Sequence, residues 1–380
     1  MTMRHLVLPL LFGAVALGGC QDQSSSNAIL TEPELAKGSV NPVGNVSGDP
    51  RPHCHPTTVP VALAPGQATQ YTIFGELCSP PGVNPHRVRT VHLAVHGATY
   101  SHLYNAWPYQ PDTYSYADAL MKAGYAVFTF DRIGIGQSSH PAGTSVTIAA
   151  NAYVVHQLVQ GLRDGSIGRT AFQRVVLMGH SLGSITSLAE ASTYGDVNGV
   201  VLTGFAHAQV GFHLDEVTSA FIPANEDPRF AALNLDSDYL TTKPGTRGSL
   251  FYNAPVTDPK VVALDEATKE TATTGELGSF LSVFPAAVSQ AVHVPVLVLN
   301  GQYDQLACGP AFSICASAAA LAIEEAPFWS PQACLQTAVT PGSGHDLNLE
   351  PSAPTTYATI RAWSDAFVGR DQPAPACAPS

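Results

Sequence analysis

Charge is scarce in this chain. Of 380 residues only 12% are charged, and Asp and Glu outnumber Lys and Arg by 29 to 17, for a formal net charge of −12. A nucleic-acid surface needs a cationic patch, so this balance argues against nucleic acid as a partner. Internal repeats are absent, which excludes solenoids and propellers. No glycine-rich phosphate loop or dinucleotide fingerprint is present. Gly134 and Gly136 open such a pattern, but the third glycine is missing, so no cofactor is expected. His53, Cys54 and His55 form a ligand-like cluster, but no second cluster has matching spacing. No metal is expected.

The apolar run from Leu6 to Leu17 is too short for a spanning helix and suits a signal peptide, with Arg4 and His5 before it. It ends in Leu17-Gly18-Gly19-Cys20, which resembles a bacterial lipobox. That resemblance implies an acylated Cys20 and an exported lipoprotein of the cell envelope, held to the membrane by lipid alone. Ala14-Val15-Ala16 offers a rival cleavage site and hence plain secretion. Residues 1–20 thus read as a signal peptide with lipobox, and residues 21–52, rich in Ser, Asn, Gly and Pro, as a flexible tether. Without Cys20, six cysteines remain, an even number in an exported chain. Proximity favours Cys54 with Cys78 and Cys308 with Cys315, which leaves Cys334 with Cys377. Sequence alone leaves the other connectivities open.

What the chain has in quantity is apolar residues, 45% of the total, with 32 Gly and 30 Pro. That is enough for one large domain with an insertion, or for two smaller ones. Strand-like stretches occur at Ala68–Leu77, Val88–Val95, Tyr125–Phe130, Val175–Met178 and Val197–Thr203. Helical spacing lies between several of them, at Tyr114–Ala123 and Ser145–Arg163. Such alternation predicts an α/β fold with a mostly parallel sheet and helices on both faces. It stops at Ala208 and resumes at Val294. The organisation expected is a core over 53–207, a cap insertion over 208–293, and the rest of the core over 294–380. Phe221 and Phe284 are among the apolar residues expected to line a pocket beneath the cap.

One stretch carries chemistry. A strand runs into Gly179-His180-Ser181-Leu182-Gly183, and helical spacing follows. A serine at the apex of such a turn needs small neighbours on both sides, and the helix after it aims free N–H groups at an oxyanion. With three further motifs the chain resembles an α/β-hydrolase from about Arg87 to Gly369, apart from the excursion. These motifs are His96-Gly97 after a strand, Asp131-Arg132-Ile133-Gly134-Ile135-Gly136-Gln137-Ser138 after the next, and Gly344-His345 near the end.

The resemblance implies a chain order of nucleophile, acid, histidine: Ser181, Asp304, His345. Serine needs a base, histidine titrates near neutrality, and a carboxylate fixes its tautomer. Asp346, Asp215 and Asp131 are weaker choices for the acid. Asp346 adjoins the histidine and should point elsewhere, Asp215 lies in the excursion, and Asp131 suits a loop brace. The resemblance also implies an oxyanion hole from the backbone N–H groups of Ala98 and Leu182, with His96 and His180 structural and Thr99, Tyr100 and Tyr104 near the pocket. A serine nucleophile excludes the dehalogenase and epoxide hydrolase branches, which use aspartate. His-Gly-Gly-Gly and His-Gly-Gly-Pro are both missing. The expectation is a serine carboxylic-ester hydrolase acting on a small-molecule ester. A peptidase or amidase is the alternative, and a non-catalytic binding protein the more distant one.

Overall fold

A computed structural model describes residues 53–211 and 218–375. The expected signal segment, Cys20, the tether, and Phe212, Leu214, Asp215 and Cys377 lie outside the described residues. The chain enters its sheet as an antiparallel hairpin, β1 (Cys54–Val61) and β2 (Tyr71–Cys78). Cys54 and Cys78 are register partners and form a disulfide. Sequence patterning shows only the second of these strands. Pro56 and Pro60 conceal the first, and they are tolerated because β1 is the edge strand.

The parallel part follows as β3 (Thr90–Val95), β4 (Ala126–Phe130), β5 (Arg174–His180) and β6 (Gly199–Thr203), each buried along its whole length. Helices Tyr116–Lys122, Ile148–Asp164 and Leu182–Tyr194 connect them. The second starts later than patterning suggests because Thr147 caps it, accepting from the Ala150 N–H at 3.1 Å. Beyond β6 the chain leaves the sheet and builds three short antiparallel strands, β7 (Phe221–Pro223), β8 (Tyr239–Thr242) and β9 (Ala272–Thr273). It returns as β10 (Val296–Gly301) and β11 (Gln336–Thr340), and ends in the helix Ala353–Phe367. The large sheet has the order β1-β2-β4-β3-β5-β6-β10-β11, antiparallel only at β1–β2 and β2–β4.

Alternate residues of the central strands feed two cores. Leu93 and Leu177 join Leu158 and Leu188 on one face, while Val127, Val176 and Val201 join Leu120, Ile360 and Trp363 on the other. Fully burying each such side chain contributes about 1.5–3 kcal/mol. Both faces are therefore apolar, which is why the strands read as continuous runs. None of the described helices is long and apolar enough to cross a membrane.

The excursion is bolted to the core near the loop after β3. Thr99 N–H donates to the Thr271 carbonyl at 3.1 Å, and Glu270 N–H to the Thr99 carbonyl at 2.9 Å. Arg132, fully buried after β4, pairs with the equally buried Glu276. Within the excursion Arg247 grips Asp265 through two 2.8 Å bonds, and its guanidinium lies 4.3 Å from the centre of the Tyr100 ring. Phe284 corrects an expectation. It faces the main core, stacked on Phe205 at 5.7 Å.

Candidate active site

The turn after β5 is tight for a sterically simple reason. A Cβ on Gly183 would stand 2.1 Å from the Val95 carbonyl oxygen, and one on Gly179 would stand 2.5 Å from the Ser184 Cα. Neither position accepts a larger residue. Between them Ser181 is held at φ 53° and ψ −121°, a region that costs a non-glycine residue about 1–3 kcal/mol. Its N–H donates to the Thr203 carbonyl at 2.8 Å, which pins the turn to β6. Ser181 is only half-buried, at the start of the helix Leu182–Tyr194.

β10 ends just before Asp304. One oxygen of this buried carboxylate accepts the Leu306 and Ala307 N–H groups at 2.9 Å, capping the short helix Gln305–Cys308. Both oxygens lie 2.9 Å from Nδ1 of His345, which follows β11. Nδ1 therefore carries the proton, and Nε2, which has no hydrogen-bond partner among the described residues, is left with its lone pair. Burial depresses the imidazole, but the Asp304 charge and hydrogen bond outweigh it, with Asp346 adding, so its pKa stands above the ordinary value. Gly204 makes room for the ring. A Cβ there would stand 2.8 Å from Cε1 of His345. The disulfide Cys308–Cys315 closes the loop that follows Asp304.

Ser181, His345, Ala98 and Leu182 line one cavity of about 200 Å³. The excursion contributes Phe221, Leu250, Phe251, Leu277 and Phe280 to its wall, and the Cys308–Cys315 loop contributes Pro310. Leu182 begins a helix, so its N–H has no intrahelical acceptor. Tyr100 lines the cavity as expected. Thr99 instead turns its hydroxyl to Arg247 at 2.8 Å, and Tyr104 stacks on His180 at 4.4 Å.

The structural residues fall where the motifs suggest. His96 accepts the Arg132 N–H on Nε2 at 3.1 Å and donates from Nδ1 to the Gly97 carbonyl at 2.9 Å, which shapes the loop carrying Ala98. Burial, aided by Arg132, lowers its pKa to about 3, so it stays neutral. Asp131 braces the same region, accepting His102 N–H at 2.9 Å and Gln137 N–H at 2.9 Å. Asp346 turns from His345 toward Tyr100 and toward Nε2 of His180 at 3.3 Å. Burial first, then Asp265, push its pKa up to about 8. Sharing supports that direction, because the Tyr100 hydroxyl faces both Asp265 and Asp346 and one proton cannot serve both.

Sequence patterning misses Arg247, Asp265, Arg132 and Glu276, because charged residues read as surface. It also misses a second relay. Nδ1 of His207 lies 2.7 Å from Glu325, and its Nε2 lies 2.7 Å from the Ser289 hydroxyl. All three are buried.

Residues 93–359 match the model of the alpha/beta hydrolase family. The chain belongs to that family. Among solved structures, this hydrolase is similar to a thermophilic esterase from Thermogutta terrifontis, at 18% identity and a TM-score of 0.53 over 81% of this chain and 97% of that one. It is also similar to an enol-lactonase from Burkholderia xenovorans LB400, at 17% identity and a TM-score of 0.51 over 77% and 96%. At such identities the likeness is one of fold. No curated protein matches the chain.

Proposed function

We propose that this hydrolase is a serine carboxylic-ester hydrolase that works through an acyl-enzyme on Ser181. The observation that supports it most is His345, with its Nδ1 held by Asp304 and its Nε2 unspent, lining the same cavity as the half-buried Ser181. Nε2 takes the hydroxyl proton as Ser181 Oγ bonds to the ester carbonyl carbon. The carbonyl oxygen, now an anion, receives the N–H groups of Ala98 and Leu182. When the C–O bond breaks, the imidazolium gives its proton to the leaving alkoxide. Water then repeats the sequence and frees the acid.

The wall favours an apolar, short or compact acyl group. About 200 Å³ is below the roughly 300–1,000 Å³ of pockets that take drug-sized ligands. The described lining residues include no carboxylate to hold a substrate ammonium, which disfavours aminoacyl amides. Segment 208–293 acts in this reading as a cap that sets acyl size. Purified protein tested on a panel of acyl esters and aminoacyl amides decides the reading. Turnover of short acyl esters, abolished in Ser181→Ala, is expected, and amide turnover without ester turnover would reverse it.

Lipidation of Cys20 is the companion proposal for the amino terminus. The disulfides of the domain suit an oxidising compartment. Membrane partitioning lost in Cys20→Ala is the expected result. A mature chain beginning at Leu17 would replace it with simple secretion.

A further inference from the structure

Three side chains that the proposed reaction does not use converge where the helix Ile148–Asp164 packs on the helix Leu182–Tyr194. His156 comes from the first helix, Glu190 from the second, and Asp196 from the turn after it. One donor atom of each lies within 4.8 Å of the other two. Glu190 is fully buried, and no N–H or hydroxyl among the described residues donates to either of its carboxylate oxygens. A close polar neighbour is the Asp196 carboxyl, and burial first, then that neighbour's hydrogen bond and charge, raise its pKa. Nδ1 of His156 and Oδ1 of Asp196 also have none. His156 Nδ1 does stand 2.8 Å from Asp196 Oδ2, but without the alignment of a hydrogen bond.

A buried carboxylate with no donor is expensive unless a proton or a cation is held between it and its neighbour. The donor set is one imidazole and two carboxylates. Calcium and magnesium prefer oxygen alone, whereas zinc takes mixed nitrogen and oxygen ligands, and two carboxylates balance its charge. The surroundings hold the donors in place. The Tyr194 ring stacks on His156 at 4.1 Å, and Gln160 donates to Asp196 Oδ2 at 2.5 Å. The nearby Arg163 is engaged by the Asp196 carbonyl at 2.8 Å and by Asn198 at 2.6 Å. His156 and Asp196 keep 24% and 16% of their side-chain surface exposed, so an ion can enter and a water can complete its shell.

We propose that His156, Glu190 and Asp196 bind one zinc-class divalent cation, which ties the two helices together about 13 Å along the helix from Ser181. Tetrahedral zinc, with bonds of about 2.0–2.2 Å, sets neighbouring donors about 3.3 Å apart. Donors that lie within 4.8 Å of one another must therefore close by at most about 1.5 Å. The ligands sit on separate elements, so no short motif announces them.

The test uses the full chain, stripped with chelator and titrated with zinc chloride alone. Calorimetry and thermal unfolding are the readouts. One zinc per chain is expected, with Tm rising by about 5 °C at saturation. Glu190→Gln should lose both the stoichiometric binding and the zinc-dependent rise, while keeping its metal-free Tm. His156→Phe, which retains the stack on Tyr194, is the second variant should the first fold poorly. Ser181→Ala should bind zinc like the parent, so this result stands apart from the esterase reading. Three outcomes overturn the proposal: no change of Tm with zinc, as a proton shared by two carboxyls would give; stoichiometric binding retained in both site variants; or an equal response to calcium.

Discussion

Two groups of serine, histidine and carboxylate stand in this hydrolase, and only the one away from the cavity is joined by hydrogen bonds throughout. His207 is bound on both ring nitrogens at 2.7 Å, and its N–H gives Glu325 a further 2.8 Å bond. His345 is bound on one side only. The difference lies in what is left over. Trp329 donates to Glu325 at 3.0 Å, Phe328 stacks on His207 at 4.0 Å, and Ser289 is fully buried, so nothing can reach the serine. That relay joins the excursion, through helix Ala286–Gln290, to helix Ala318–Glu325 of the core, and works as a clasp. Ser181 instead sits on a strained turn and lines a cavity that His345, with its Nε2 unspent, also lines. A reactive relay needs an incomplete hydrogen-bond set and room for an electrophile.

The sharpest way to break this contrast is to remove each serine. Ser181→Ala should lower kcat by about 10⁶. Ser289→Ala should leave kcat within a few-fold and cost about 1–3 kcal/mol of stability, read by denaturant unfolding, because it orphans a buried imidazole nitrogen. A fluorophosphonate should label Ser181 alone. Equal losses of turnover in the two variants would erase the distinction.

The carboxylates extend it. Asp304→Asn should cost about 10⁴ in kcat through the wrong histidine tautomer, whereas Glu325→Gln should spare turnover and lower Tm. The comparison also divides two phenylalanines of the excursion. Phe284→Ala should destabilise the fold by about 3–5 kcal/mol with acyl preference intact. Phe221→Ala should shift kcat/KM between short and long acyl esters by about tenfold at nearly constant Tm.

The smallest effects concern pH. In the proposed reaction His345 acts as a base only when neutral, and its pKa is raised, so the acid limb of kcat/KM should lie above pH 6.5. In Asp304→Asn burial acts without the opposing charge, and the limb should fall below 6.5. An unshifted limb would detach His345 from the rate. Asp346 holds its proton to about pH 8 in the fold, against 3.8 for its ordinary value. The folded state therefore binds the extra proton, and stability from this group declines as pH rises through that window. Asp346→Asn should flatten the decline of Tm.

The sheet is legible in the sequence because strands covered on both faces must be apolar throughout, and the turn at Ser181 because only glycine fits at 179 and 183. The partnership of Asp304 and His345 is legible because each follows a strand ending on the same edge. What stays hidden depends on distant neighbours. Arg247 and Asp265 look like surface charges until their two 2.8 Å bonds are seen. Phe221 and Phe284 share one irregular stretch, and nothing local says which faces the cavity. The short strands β7 to β9 leave too little periodicity to detect. His207 is 82 residues from Ser289 and 118 from Glu325, so no motif could join them.

The attachment of the excursion has one more consequence. Glu350 accepts the N–H of Asn253 at 2.6 Å and the N–H of Gly344 at 3.2 Å, so a single carboxylate holds both the excursion and the residue before His345. With the Thr99 pairings and the Arg132–Glu276 bond on the other side, swinging the excursion open would drag His345 and the loop carrying Ala98 with it. In the proposed reaction substrate then enters without the excursion swinging away, one molecule at a time. Initial rates should then follow a plain hyperbola as a short-chain ester passes its solubility limit, with no jump at the oil–water interface.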